Sequence, residues 1–461
     1  MLFNSHIFIL FFLPLVFAFY FLLRGFNLHF AGKLFLVCAS FIFYAWWKTE
    51  YLFLLSGTII WNFMMAEALH RWRSKSILSL AVCGNISVLG YFKYKNFFFD
   101  NIAGLTGMPS ITEKVIIPLG VSFYTFQQIS FLVDTYRGKA DRCNLLDYTL
   151  FVSFFPQLVA GPISYQHEIT PQFNASDAGN LNYNNIGQGF FLFSIGLFKK
   201  IVIADSLAPY VEKGFDNALA LPFWDSWATS LAYTCQLYFD FSGYTDMALG
   251  LGLLFNIKLP NNFNSPYKST NIQEFWRKWH ITLGRFVRDY IYIPLGGSRK
   301  GSYRTLANLF SSFLLIGLWH GAGWNFVLWG GLHGGAIVIH RIWQNTGGKL
   351  PIYAGWILTF LYVNACWVLF RATTTYDAIK IFKGMMGMVN VGFSTALTLT
   401  DDFILLGACM GLIAFTALFK NSVEISHEMK FSFKESALTL TFFVISFIKL
   451  YSYQTFLYFD F

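Results

Sequence analysis

The chain has 461 residues, 55% of them hydrophobic and only 12% charged, with 55 Phe, 24 Tyr, 14 Trp and a formal net charge of +9. A mean hydropathy of +0.49 excludes a water-soluble globular chain, whose surface would need far more charge. The excess of Lys and Arg does not point to nucleic acid, because these residues sit in short loops between apolar runs, where positive-inside bias places them.

Apolar runs recur along the whole chain, and a crossing takes about 20 residues, which predicts an all-α polytopic membrane protein of roughly 10 to 12 helices, read as one domain, 1–461. Leu2 to Leu23 has no basic residue before it and no small-residue cleavage site after it, so it reads as a first membrane helix and not as a signal peptide. The basic loops His70 to Lys75 and Arg137 to Arg142, the block Arg285 to Arg304 and the loop Lys420 to Lys434 are the cytoplasmic candidates. Counting crossings from them places both the amino terminus and the aromatic tail 452–461 outside the cytoplasm.

Between Tyr148 and Tyr165 the sequence FFPQLVAGPI sets two prolines and a glycine inside an apolar run, as in a re-entrant or discontinuous helix. Such backbone is tolerated at membrane depth only where protein or a water-filled cavity satisfies it, and a cavity is expected here. Leu259 to Thr270 is polar and turn-rich, and Asn271 to Arg288 then predicts one amphipathic helix with Trp276, Trp279, Leu283 and Phe286 on one side. Thr305 to Trp319 is expected to rise from the cytoplasm, turn at His320 with help from Gly321 and Gly323, and return through Phe326 to Ile339.

Ionisable residues inside apolar segments default to a functional reading. His320, in GLWHGAGW, is followed by small residues that would let a substrate approach and leave the imidazole a free edge. A neutral imidazole suits general-base activation of a hydroxyl, whereas a hydrogen bond between helices is the structural alternative. His280, in WRKWHITLGR, stands among cations and reads equally well as an interfacial residue. Arg277, Lys278, Arg285, Arg288, Arg299, Lys300 and Arg304 put seven positive charges within 28 residues. They are candidates, the first four above all, to hold the phosphates of a donor such as coenzyme A, although topology alone also produces such a cluster.

Asp240, Asp246 and Asp289 are scarce acids nearby, and Asp240 could orient a histidine or pair with a cation. His333 and Trp319 are supporting candidates. His333 and His340 lie seven apart with no carboxylate motif, so no metal site is expected. The six cysteines show neither a CxxC pair nor metal spacing and read as buried small hydrophobes.

The blocks YTFQQISFLVDTYRG, FFPQLVAGPI, YFDFSGYTDMALGLGLLFNIKLPNNFNSPY, FWRKWHITLGRFVRDYIYIPLGGSR and LWHGAGWNFVLWGGLHG, in this order from about residue 115 to 335, resemble the hallmark blocks of the membrane-bound O-acyltransferase (MBOAT) family. Within it they resemble the alginate O-acetyltransferase branch, with its peptidoglycan O-acetyltransferase membrane subunits and its relative, the D-alanyl transfer protein of teichoic acid. The resemblance implies about 11 membrane helices around a central funnel, with short tilted or re-entrant helices within it. It makes His320 the catalytic histidine of the WHG block and His280 the second functional position, in WxxWHxTL. The ending FLYFDF is similar to the branch's FxYFxF, which offers Tyr458 as a transient acyl acceptor; an aromatic interfacial anchor is the alternative.

The function expected is that of a bacterial inner-membrane enzyme. It moves an acetyl group from acetyl-CoA or another cytoplasmic thioester, with no bound cofactor, onto an extracytoplasmic polysaccharide. The resemblance adds a separately encoded partner of the SGNH-hydrolase type, with membrane lipid as surroundings. The alternatives are a flippase for a polysaccharide precursor, which would also need broken helices, and acylation of a lipid or protein.

Overall fold

A computed structural model describes residues 1–107, 115–391, 399–452 and 456–457. Among them the regular structure is all helical, with short 3-10 and π turns and no strand. Phe8–Gly25, Glu50–Trp72, Lys75–Thr106 and Ile352–Arg371 are long and apolar enough to cross a membrane, and the pair Phe403–Leu418 and Ser422–Glu428, bent by 45°, adds a fifth span if counted as one. The larger number expected from apolar runs is not reached by this measure, because the other helices are short, broken or polar. Val121–Arg137, for example, buries Gln127, Gln128 and Asp134. A helix surrounded by protein can carry polar side chains that a lipid-facing one cannot.

The contacts divide the chain into two compact units. The first comprises Met1–Leu197, Tyr244–Asn261 and Met429–Ser452. Inside it, buried amides tie three helices together: Asn62 Nδ2 donates to Gln128 Oε1 at 2.6 Å, and Asn85 Nδ2 to Asn62 Oδ1 at 2.6 Å. Interhelical hydrogen bonds of this kind hold helices where the hydrophobic effect gives no drive.

The FFPQLVAGPI run is discontinuous, as expected, breaking at Phe154 between Leu145–Ser153 and Phe155–Leu158. Protein side chains take up the freed backbone groups where a cavity was expected. The Phe155 N–H donates to Ser40 Oγ at 3.1 Å, the Ala160 N–H to the Tyr244 hydroxyl at 3.3 Å, and Gln157 Nε2 to the Phe151 carbonyl at 2.6 Å. Cys235, Cys366 and Cys409 are buried as expected, whereas Cys38 and Cys83 are exposed.

The second unit comprises Phe198–Gly243, Asn262–Glu428 and Tyr453–Phe461. Its centre is a hairpin of Ser302–His320 and Trp324–Asn345, turned at Gly321 to Gly323 where the sequence predicts it. Glycine makes this hairpin tight. A Cβ on Gly330 would lie 2.6 Å from the Phe313 carbonyl oxygen, and one on Gly317 would lie 2.9 Å from the Gly330 Cα. Ile352–Arg371 packs beside the hairpin and carries Trp367 and Phe370, both buried, toward it.

Candidate active site

The single amphipathic helix expected from Asn271 to Arg288 is two helices of seven residues, Ile272–Lys278 and Ile281–Val287, with His280 at the joint. The first begins at Asn271, whose Oδ1 accepts the Glu274 N–H at 2.9 Å, while Glu274 in turn accepts from Thr270. Each cap satisfies donors that the first helical turn leaves without partners. It ends because Trp279 is extended and His280 adopts φ 45 and ψ 54, a left-handed conformation that costs a non-glycine residue about 1–2 kcal/mol.

The preceding polar loop holds this kink. The Asn262 carbonyl accepts the Ile281 N–H at 3.0 Å, Asn262 Oδ1 accepts both the Thr282 N–H at 3.3 Å and the Thr282 hydroxyl at 2.6 Å, and the Asn264 N–H donates to the Lys278 carbonyl at 3.0 Å. Periodicity alone misses the break, because the apolar positions of the two short helices run on in phase.

His280 is 1% exposed, with the Phe241 ring at 4.9 Å and the Trp319 ring at 6.1 Å. Burial pulls its pKa down to about 3, so the imidazole is neutral. His320 caps the end of its own helix and is 3% exposed, not open on one edge as expected. The rings of Trp319, Trp329 and Phe370 stand around it at 4.9, 5.1 and 5.1 Å, each edge to face. Gly321 serves packing here, since a Cβ on it would enter the Phe326 ring. The two histidines therefore border one indole, that of Trp319, and belong to one locus.

His333 is fully buried in the next layer. Its Nδ1 accepts the Trp276 indole N–H at 3.1 Å, which places the proton of a neutral ring on Nε2. Trp329 lies 4.7 Å from its ring and Tyr362 5.9 Å. Tyr362 also forms part of the wall of a cavity of about 750 Å³ between Trp324–Asn345 and Ile352–Arg371, together with His340, Trp343 and Lys349. Among the described residues no group of three His, Cys, Asp or Glu is placed to hold a metal ion.

Of the expected donor-binding cations, Lys278 is paired with Glu274 at 2.7 Å and Arg288 with Asp289 at 2.7 Å. Arg277 is exposed and Arg285 is half-buried. Asp240 orients no histidine; it is paired with Lys200 at 2.5 Å. Asp246 is buried in the first unit. Tyr458 lies outside the described residues, although Leu457 beside it is described. Sequence reading did not single out Lys200, Asn262 or Trp329. The pair of lysines closing the apolar run FLFSIGLFKK was the available signal for Lys200.

The sequence profile of the MBOAT, membrane-bound O-acyltransferase family matches residues 72–376. The chain belongs to this family. Membership makes it a membrane-embedded O-acyltransferase, an all-helical multi-pass enzyme whose two motif histidines meet at one tryptophan. Among relatives of this MBOAT protein, the peptidoglycan O-acetyltransferase of Helicobacter pylori is 42% identical over 100% of this chain and 98% of its own length. The probable alginate O-acetylase AlgI of Pseudomonas aeruginosa is 40% identical over 84% of this chain and 75% of its own length. The teichoic acid D-alanyltransferase of Bacillus subtilis is 26% identical over 63% of this chain and 75% of its own.

Proposed function

We propose that this MBOAT protein takes an acetyl group from a cytoplasmic thioester, acetyl-CoA, and delivers it for O-acetylation of an extracytoplasmic polysaccharide, peptidoglycan before alginate. The observation that carries the reading is the meeting of two imidazoles, His280 and His320, on Trp319 in a buried aromatic core. His320 acts as general base. It takes the proton of an attacking hydroxyl while the oxygen forms its bond to the thioester carbonyl carbon, and the carbon–sulfur bond breaks as the thiol leaves with a proton. His280, fixed in a strained conformation by Asn262, holds the reacting groups in place. The cavity walled by Tyr362 brings the donor to the His333 layer, with Lys349 on its wall to meet the phosphates.

Tyr458 is the first acceptor and passes the acetyl group to a separately encoded SGNH-hydrolase-type partner on the outer face of the bacterial inner membrane, where both termini lie. The match to a peptidoglycan O-acetyltransferase over the full chain supports this choice of acceptor. The test is acetyl transfer from labelled acetyl-CoA by protein reconstituted in liposomes with its partner. His320→Ala should lose about 10²- to 10⁴-fold in rate, the worth of a general base. Folded His320→Ala transferring at the native rate would remove His320 from the chemistry.

A further inference from the structure

Lys200 is a lysine buried between two acids, 1% exposed, with its Nζ 2.8 Å from Asp205 Oδ1 and 2.5 Å from Asp240 Oδ1. Neither it nor Asp205 has a part in the transfer chemistry above. A buried carboxylate oxygen needs a donor. Asp240 spends its two oxygens differently. Oδ1 takes Lys200, whereas Oδ2 accepts the backbone N–H of Leu457 at 3.1 Å. The neighbouring Phe456, 1% exposed, brings its ring to 4.7 Å from the Lys200 ammonium. Two residues from the far end of the sequence thus close the cluster, one with a hydrogen bond to its anion and one with a π face to its cation.

We propose that the Lys200–Asp240 pair is the seat of Phe456 and Leu457, and that acyl transfer through Tyr458, the next residue in the sequence, depends on this anchorage. Lys200 and Asp240 are positioning residues on this account, and the proposal rests on Tyr458 being the acyl acceptor. Holding a reacting group in one geometry is a large share of what a site contributes to rate, so a charge cluster that takes no part in the bond-making steps gains a catalytic consequence. The seat also gives the motif a physical reading: its first aromatic residue supplies the cation contact, its second residue supplies an amide, and its third carries the hydroxyl.

The experiment uses the full chain in liposomes and three variants. Leu457→Pro deletes the N–H that Asp240 accepts and leaves the Lys200–Asp240 pair in place. Phe456→Ala removes the ring over Lys200 and keeps the amide. Tyr458→Phe removes the hydroxyl alone. Acetyl transfer, melting temperature and mass-spectrometric hydrogen exchange of the segment are read for each. Leu457→Pro and Phe456→Ala should lower kcat about tenfold or more with the KM for acetyl-CoA unchanged, speed exchange of the segment, and leave the melting temperature in place. Native kcat in both, with Tyr458→Phe inactive, would overturn the seat while leaving the relay standing. Native kcat in Tyr458→Phe would overturn the relay and the seat's positioning role with it. A fall in melting temperature with unchanged kcat per folded molecule would make the cluster a structural pair only.

Discussion

Replacing Gly330 with alanine tests whether the tight hairpin places the histidine layer. The added Cβ would sit 2.6 Å from the Phe313 carbonyl oxygen and 3.1 Å from the Gly317 Cα of the facing helix, where the nearest atoms are backbone and cannot rotate away. Restoring ordinary contact, about 3.5–4.0 Å between carbons, requires the two helices to separate by roughly 1 Å. Trp329, the preceding residue, moves with its helix, and its ring is one wall of the box around His320. Overpacking of this kind costs about 1–3 kcal/mol, against about 1 kcal/mol gained from the better helix propensity of alanine. Displacing a reacting group by that distance costs about 10²-fold in rate. Gly335, in the same helix, is the control, because a Cβ there meets nothing within 4 Å. Thermal unfolding and acetyl transfer in liposomes should show Gly330→Ala slower and no more stable, and Gly335→Ala at native rate and slightly more stable. Equal rates and equal stabilities in the two variants would refute the coupling of hairpin spacing to His320.

Asn262→Ala should destabilise the protein by about 1–3 kcal/mol, since it leaves a buried Thr282 N–H and hydroxyl without their acceptor, and should slow transfer by releasing the His280 joint; Asn262→Asp, which keeps an acceptor, should recover much of both in unfolding and rate measurements. Thr374→Ala removes the cap of Thr375–Met385, made with Asp377, and should cost about 1 kcal/mol at neutral pH by chemical denaturation. The Thr374 hydroxyl, more than any other group, holds the Asp377 carboxyl below its ordinary 3.8. A depressed carboxylate stabilises the fold above its unfolded pKa and loses that stabilisation as pH falls through the folded one. The difference between native protein and Thr374→Ala should therefore shrink in acid below pH 3.8.

The helical class, the family and the hairpin around His320 are legible in the sequence because each rests on local signals: hydropathy, motif blocks, and glycines at a turn. The start of Ile272–Lys278 is legible for the same reason, from Asn271 with Glu274 three residues on. What is not legible depends on partners distant in sequence. The break at His280 exists because Asn262 supplies the hydrogen bonds that another turn of helix would have supplied. The satisfaction of the Phe154 break relies on Ser40 and Tyr244, more than 80 residues away on either side. Asp240 could be recognised as needing a cation, but nothing local says that the cation is Lys200. The enclosure of His320 is set by Phe370, which no motif block contains.

The pairing of Lys200 with Asp205 and Asp240 also bears on how the chain enters the bilayer during synthesis. The helix Phe223–Leu254 carries Asp225, Asp240 and Asp246, and each charge at membrane depth costs roughly 2.5–3.5 kcal/mol when a segment is inserted alone. Lys200, a charge of the opposite sign, carries a similar penalty. Neither segment is a good client for the translocon by itself; together, Lys200 and Asp240 offset one another. Biogenesis of this protein is then a collective event, in which the strongly apolar helices enter first and shelter the charged ones until their counterions arrive. Substitutions at Lys200 should accordingly be felt in the yield of correctly inserted protein as well as in its turnover.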